Sequence, residues 1–221
     1  MSITKTDSLY RKDYFGRIHE LKKHAPNAFE SFFAFNNQAL AEGELSVKVK
    51  ELIAVAVAHI TGCPYCIDLH VKNVKKQKAS KAEVAEAIFV ATALKAGSSA
   101  AHGVNALNAY DENGDEELYK ASYFNRIKEF SKLNKETFKA FLDFDHQAIK
   151  AENLSEKEKE LIAVACAHTT GCAYCIDLHT KNAKKTGANL NEISEAIFVA
   201  VALKAGSAIA HSVNALNAYD E

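Results

Sequence analysis

The nine residues ELIAVAVAH, from Glu51 to His59, are apolar nearly all round once the two end residues are set aside. A helix without a polar face predicts a buried, central element. The segment returns as ELIAVACAH, from Glu160 to His168. Start and stop signals bracket it. Ser46 predicts the N-cap of a helix over VKVKELIAVAVAHIT, and Gly62 its end. Ser155 with Glu158 has capping-box spacing in the second copy, as do Ser80 with Glu83 and Asn189 with Glu192 for a later helix. The chain has only two prolines, Pro26 and Pro64, and both fit helix starts. Strand alternation with hairpin turns is absent. The pattern predicts an all-α protein.

The two apolar helices belong to a longer repetition. Adding 109 to a position in the first half lands on its counterpart, so Glu51 maps to Glu160, Cys63 to Cys172, Cys66 to Cys175 and His70 to His179. The stretch EAIFVATALKAGSSAAHGVNALNAYDE from Glu86 recurs as EAIFVAVALKAGSAIAHSVNALNAYDE from Glu195. The match runs back to Tyr14-Phe15 against Tyr123-Phe124. This predicts two tandem helical domains, 1–112 and 115–221, divided at the turn-prone pair Asn113-Gly114. A unit of this size exposes apolar faces that need a partner. The expectation is an internal pseudo-dimer, with EAIFVA, ALKAGS and NALNAYD, rich in small residues, at its interface.

Composition narrows the function. Apolar residues make up 48 % of the chain, enough for a real core. Lys and Arg (27) nearly balance Asp and Glu (28) and are interspersed with them, so nothing marks a nucleic-acid surface. No unbroken apolar run approaches the roughly 20 residues of a membrane span, and MSITKTDSLYRKDYFG lacks the apolar region of a signal peptide. A cytoplasmic protein without nucleic-acid or membrane partners is expected. In that compartment paired cysteines read as redox or metal chemistry rather than as staples.

Four of the five cysteines lie in HITGCPYCIDLH and HTTGCAYCIDLH, starting at His59 and His168. Gly62 breaks the chain, Cys63 fits an N-cap, Pro64 fits N1 and Cys66 falls at N3 of a new helix. Spacings of three and four put Cys63, Cys66 and His70 on one helical face. Helix N-terminal amides and a nearby imidazole lower a thiol's pKa. Two thiols three residues apart can close a disulfide after one has attacked a peroxide, and His is suited to accept the thiol proton. Ala173 replaces Pro64 in the second copy without changing the spacing. The competing reading is zinc held by the two cysteines and the histidine, with Glu51 or His59 as fourth ligand. Haem attachment is disfavoured because His does not directly follow the second Cys.

Glu51, eleven residues, then Cys63-x-x-Cys66-x-x-x-His70 resembles the signature of the AhpD-like alkylhydroperoxidases, which share a fold with carboxymuconolactone decarboxylases; Glu160, Cys172, Cys175 and His179 repeat it. The resemblance implies a thiol peroxidase that reduces hydroperoxides, is recycled by a dithiol or thioredoxin-like reductant, and uses no cofactor or resident metal. It makes Cys66 and Cys175 peroxidatic and Cys63 and Cys172 resolving, with His70 and Glu51, and His179 and Glu160, relaying the proton. It also implies a homo-oligomer, with a trimer of chains as the expected form. The decarboxylase branch lacks the cysteine pair. The chain departs from the family pattern at Tyr65 and Tyr174, where a His precedes the second Cys in the best-studied type. A zinc-binding or non-redox helical scaffold, and a lyase-like relative, are the alternatives.

Other positions carry plainer expectations. Glu51 and Glu160 are read as first-turn residues, either solvated or set against an apolar neighbourhood. His59 and His168 are expected at a helix C-terminus, and His102, His211, Asn105 and Asn214 in tight helix packing. Cys166 answers to Val57 and is expected to be a small buried hydrophobe. VKNVKKQK after His70 is expected to be a solvated face.

Overall fold

The computed structural model describes residues 8–112 and 116–220, so the boundary expected at Asn113-Gly114 lies outside it. The first half opens with a 3-10 segment, Lys12–His19, followed by α1 (Glu20–His24), α2 (Pro26–Leu40), α3 (Val47–Thr61), α4 (Pro64–Lys76), α5 (Lys81–Ala101) and α6 (Gly103–Tyr110). The second half runs through a 3-10 segment, Ala121–Arg126, then α7 (Ile127–Leu133), α8 (Lys135–Ile149), α9 (Glu156–Thr170), α10 (Ala173–Lys185) and α11 (Leu190–Tyr219). Among the described residues there is no strand. The protein is all-α and built from two repeats.

The apolar helices are the centre, as their sequence predicts. α3 and α9 pack on each other, and α5 and α11 each lie against both. Leu52, Ile53, Val55 and Val57 are wholly buried, as are Ile162, Val164 and Cys166 in the other copy. Each such aliphatic side chain contributes about 1.5–3 kcal/mol relative to exposure. Ser46 caps α3 by accepting from the Val49 N–H (3.3 Å), and the capping boxes at Ser80, Ser155 and Asn189 all form. Gly62 and Gly171 end α3 and α9 at φ of 69° and 74°, a left-handed turn that favours glycine.

Each half reaches across to the other. The 3-10 segment and α2 of the first half pack on α11, while α8 of the second half packs on α5. The loop before α3 gives its Glu44 and Leu45 N–H groups to the Glu195 carboxylate (3.0 and 2.9 Å), and the buried Lys50 ammonium pairs with the same group at 3.0 Å. In the mirrored contact the Asn153 and Leu154 N–H groups donate to Glu86 (2.9 and 3.1 Å), and the buried Lys159 pairs with it at 2.9 Å. Arg17 pairs with Asp220 and donates to Asn217 (2.5 Å); Arg126 pairs with Asp111 and donates to Asn108 (2.7 Å). Asn105 donates to the Leu118 carbonyl and Asn214 to the Leu9 carbonyl, both at 3.0 Å. Residues of EAIFVA and NALNAYD thus hold the interface, and ALKAGS contributes Gly97 and Gly206, which the rings of Phe141 and Phe32 approach.

The repeats differ at one bend. α11 is a continuous helix of 30 residues, whereas its counterpart turns at His102 between α5 and α6. Gly103 stands where α11 has Ser212, and the Phe130 ring comes so close that a Cβ at Gly103 would meet it at 2.8 Å. A glycine also lowers helix propensity by about 1 kcal/mol. By length and composition Lys81–Tyr110 and Leu190–Tyr219 are long and apolar enough to cross a bilayer, with mean hydropathy of 1.2 and 1.7. Here each packs one face on the central pair α3 and α9.

Candidate active site

The break at Gly62 turns the chain from α3 into α4 and leaves Cys63 at the N-cap, where its sulfur accepts from the Cys66 N–H at 3.2 Å. Pro64 occupies N1. Cys63 and Cys66 are joined as a disulfide with their Cα atoms 5.3 Å apart, and Cys172 with Cys175 at 5.2 Å. The two sulfurs of a pair are not equally placed. Cys63 and Cys172 are 0 % exposed, while Cys66 and Cys175 are 6 % exposed and line a cleft.

His70 lies one helical turn beyond Cys66 on the same face of α4. Its Nδ1 is 2.8 Å from Glu51 Oε2, and the second carboxylate oxygen accepts from Asn73 Nδ2 at 3.2 Å. The copy repeats this with His179 to Glu160 at 2.8 Å and Asn182 to Glu160 at 3.3 Å. Both carboxylates are buried, at 5 % and 3 % exposure. A histidine that donates Nδ1–H to a carboxylate is fixed in orientation and tautomer, and its other nitrogen is free to accept a proton.

Neither cleft belongs to one repeat. The one holding Cys66, His70 and Glu51 is walled by Phe15, Phe32 and Phe33 on one side and by Leu203, Gly206 and Ala210 of α11 on the other; it encloses about 1130 Å³, part of it open to solvent. The one holding Cys175 and His179 is walled by Phe124, Phe138 and Phe141 and by Leu94, Gly97 and Ala101 of α5, and encloses about 590 Å³. Aromatic side chains from the arm of one repeat and small residues from the long helix of the other make each lining largely apolar.

A family model, the carboxymuconolactone decarboxylase family, matches the chain twice, at residues 26–109 and 135–218. The chain belongs to the carboxymuconolactone decarboxylase family. Among relatives in it, an uncharacterized protein of the cox locus of Paracoccus denitrificans is 43 % identical over 95 residues, which is 43 % of this chain and 86 % of that one. An uncharacterized protein of Cupriavidus necator is 30 % identical over 97 residues, 44 % of this chain and 83 % of that one. Each relative therefore corresponds to little more than one repeat. A crystal structure from Burkholderia xenovorans, provisionally named a gamma-carboxymuconolactone decarboxylase subunit, superposes with a TM-score of 0.70 at 18 % identity. It covers 94 % of this chain and 95 % of that one, so the fold of both repeats is matched.

Within this carboxymuconolactone decarboxylase fold, the eight residues singled out in the sequence assemble into two Glu-His-Cys-Cys sets. One expectation is corrected. Glu51 is the fifth residue of α3, one position past its first turn, and is neither solvated nor a terminal cap. His59 and His168 lie in the last turn of their helices, as expected, with Nδ1 2.8 Å from the Val55 and Val164 carbonyl oxygens. Glu51 pairs with His70, and among the described residues no group of three or more His, Cys, Asp or Glu is placed to hold a metal. Tyr65 and Tyr174 pack: Tyr65 lies between Phe15 and Tyr10, and Tyr174 between Phe124 and Tyr119. Burial pushes both phenols up, and the Tyr174 hydroxyl has no hydrogen-bond partner among the described residues. Cys166 is wholly buried and burial drives its thiol up, as expected of an inert hydrophobe. Asn73 and Asn182 were missed. They sit within what reads as a solvated lysine face, but a polar residue kept three positions after the His in both copies was the available signal.

Proposed function

We propose that the protein is a thiol-dependent peroxidase in which each Cys-x-x-Cys pair cycles between dithiol and disulfide. The observation that carries this reading is the unequal placement of each pair: one sulfur faces an apolar cleft beside a carboxylate-fixed histidine, and its partner lies behind it within bonding reach. In the reduced site His70 takes the proton of Cys66, and the thiolate attacks the outer oxygen of a hydroperoxide. The O–O bond breaks, sulfur is oxidised to sulfenic acid, and the alkoxide leaves as alcohol with the proton that His70 returns. Cys63 then attacks the sulfenic sulfur and releases water as the disulfide closes. A dithiol reductant restores both thiols. Cys175, Cys172, His179 and Glu160 act in the same way. Helix N-terminal placement of the cysteines favours the thiolate, and the apolar walls suit organic hydroperoxides.

Peroxide consumption with a panel of dithiol donors tests the reading. Wild type turns over with at least one donor, and the Cys66→Ser/Cys175→Ser variant falls to background. Equal rates in the two proteins, or no consumption with any dithiol, would exclude it.

A further inference from the structure

The two clefts are built from equivalent residues but differ in charge. α2 turns Phe32, Phe33 and Asn36 toward the first cleft, and α8 turns Phe141, Leu142 and Asp145 toward the second. Asn36 and Asp145 are the same position in the repeat. Asn37 also lines the first cleft, whereas its counterpart His146 is exposed and does not line the second. No Lys or Arg lines either cleft.

Asp145 makes no side-chain hydrogen bond or ion pair with another described residue. Burial raises its pKa, and the His179–Glu160 pair and exposed His146 are the ionisable groups around it. The carboxylate is thus within electrostatic reach of the His179–Glu160 pair. Beyond that pair the second cleft carries a negative charge that nothing in its lining offsets. The first cleft has amides at the equivalent place, and an amide can donate to an anion.

We propose that Asp145 is a charge filter: the Cys175 cleft takes neutral substrates and turns away carboxylate-bearing ones, whereas the Cys66 cleft, with Asn36 and Asn37 there, admits both. Repulsion between like charges several ångströms apart, in surroundings between protein surface and water, produces roughly a 3- to 10-fold difference in rate. The inference rests on the thiol reading of the sites only in that both cysteines must be reducible and reachable.

Iodoacetamide and iodoacetate test it without peroxide turnover. Both alkylate a thiolate by displacing iodide, and they differ in charge. The full chain is reduced, freed of reductant and labelled near neutral pH, and Cys66 and Cys175 are read separately by peptide mass spectrometry. The ratio of iodoacetate to iodoacetamide rates is expected to be roughly 3- to 10-fold lower at Cys175 than at Cys66. Asp145→Asn raises the Cys175 ratio to that of Cys66, and Asn36→Asp lowers the Cys66 ratio. The iodoacetamide rate reports whether each variant keeps its fold. Equal ratios in wild type, a Cys175 ratio unmoved by Asp145→Asn, or a Cys175 that iodoacetamide cannot reach would overturn the proposal. Loss of peroxidase activity with these ratios intact would instead refute the function proposed above and leave the filter standing.

Discussion

Replacing Glu86 with Gln removes the negative half of a mostly buried ion pair between the repeats. The Glu86 side chain is 12 % exposed and that of Lys159 2 %. Burial works against the Glu86 charge, but hydrogen bonds from Asn153, Lys159 and the Leu154 amide outweigh it and hold the carboxyl at about 2 instead of 4.5. A displacement of that size is worth at most ~3 kcal/mol, and solvent at the rim reduces it to about 2 kcal/mol. Leaving Lys159 buried without its partner adds to the cost, so a loss of about 2–4 kcal/mol is expected near neutral pH. Because the folded carboxyl is depressed, its contribution is present above about pH 4.5 and fades as pH falls toward about 2. Urea unfolding of wild type and Glu86→Gln, followed by far-ultraviolet circular dichroism at about pH 7 and about pH 3, measures both quantities. The difference between the proteins is expected to shrink by more than half at the lower pH. A loss below about 0.5 kcal/mol at neutral pH, or one that is the same at both, would refute the assignment of stability to this pair.

The His70→Gln/His179→Gln variant is expected to lose roughly 10²-fold in peroxide turnover and to alkylate more slowly near neutral pH; unchanged alkylation removes histidine from the mechanism. Asn73→Ala/Asn182→Ala loosens the Glu51 and Glu160 carboxylates and is expected to lower turnover by about 10-fold without changing the substrate preference. Lys78, two residues past the end of α4, has φ of 63° where the second repeat has Gly187 at 89°, so Lys78→Gly is expected to raise stability by about 0.5–1 kcal/mol in thermal unfolding. Light scattering is expected to give the mass of three chains, with Phe89, Phe198 and Val201 on outer faces available for assembly; a single-chain mass refutes the trimer.

Local features were legible wherever the physics is local. Ser46, the capping boxes, Gly62 and Pro64 fix helix ends through neighbours a few residues away, and all behave as the spacing predicts. The Cys-Cys-His part of the site was readable for the same reason, since α4 alone sets it. Glu51 was placed in the site only by resemblance, because its meeting with His70 is a contact between two helices. The walls of the clefts were not readable. That Phe32 faces Gly206, or that Lys159 reaches Glu86, depends on how the arms cross, and no periodicity encodes it. Nor did repetition foretell the bend at His102, where the Phe130 ring lies against Gly103 and the other copy has Leu21 and Ser212 at these two positions.

The crossing of the arms also bears on how this protein could change over generations. In a dimer of two identical chains, any substitution at the position of Asn36 or Asp145 would appear in both clefts at once. Symmetry would make every experiment a double one. Joining two units in one chain lifts that constraint while each active centre still draws a wall from its neighbour. One centre can then alter its walls while the other keeps the older chemistry, and a single gene can carry two specialists in the place of a pair of twins.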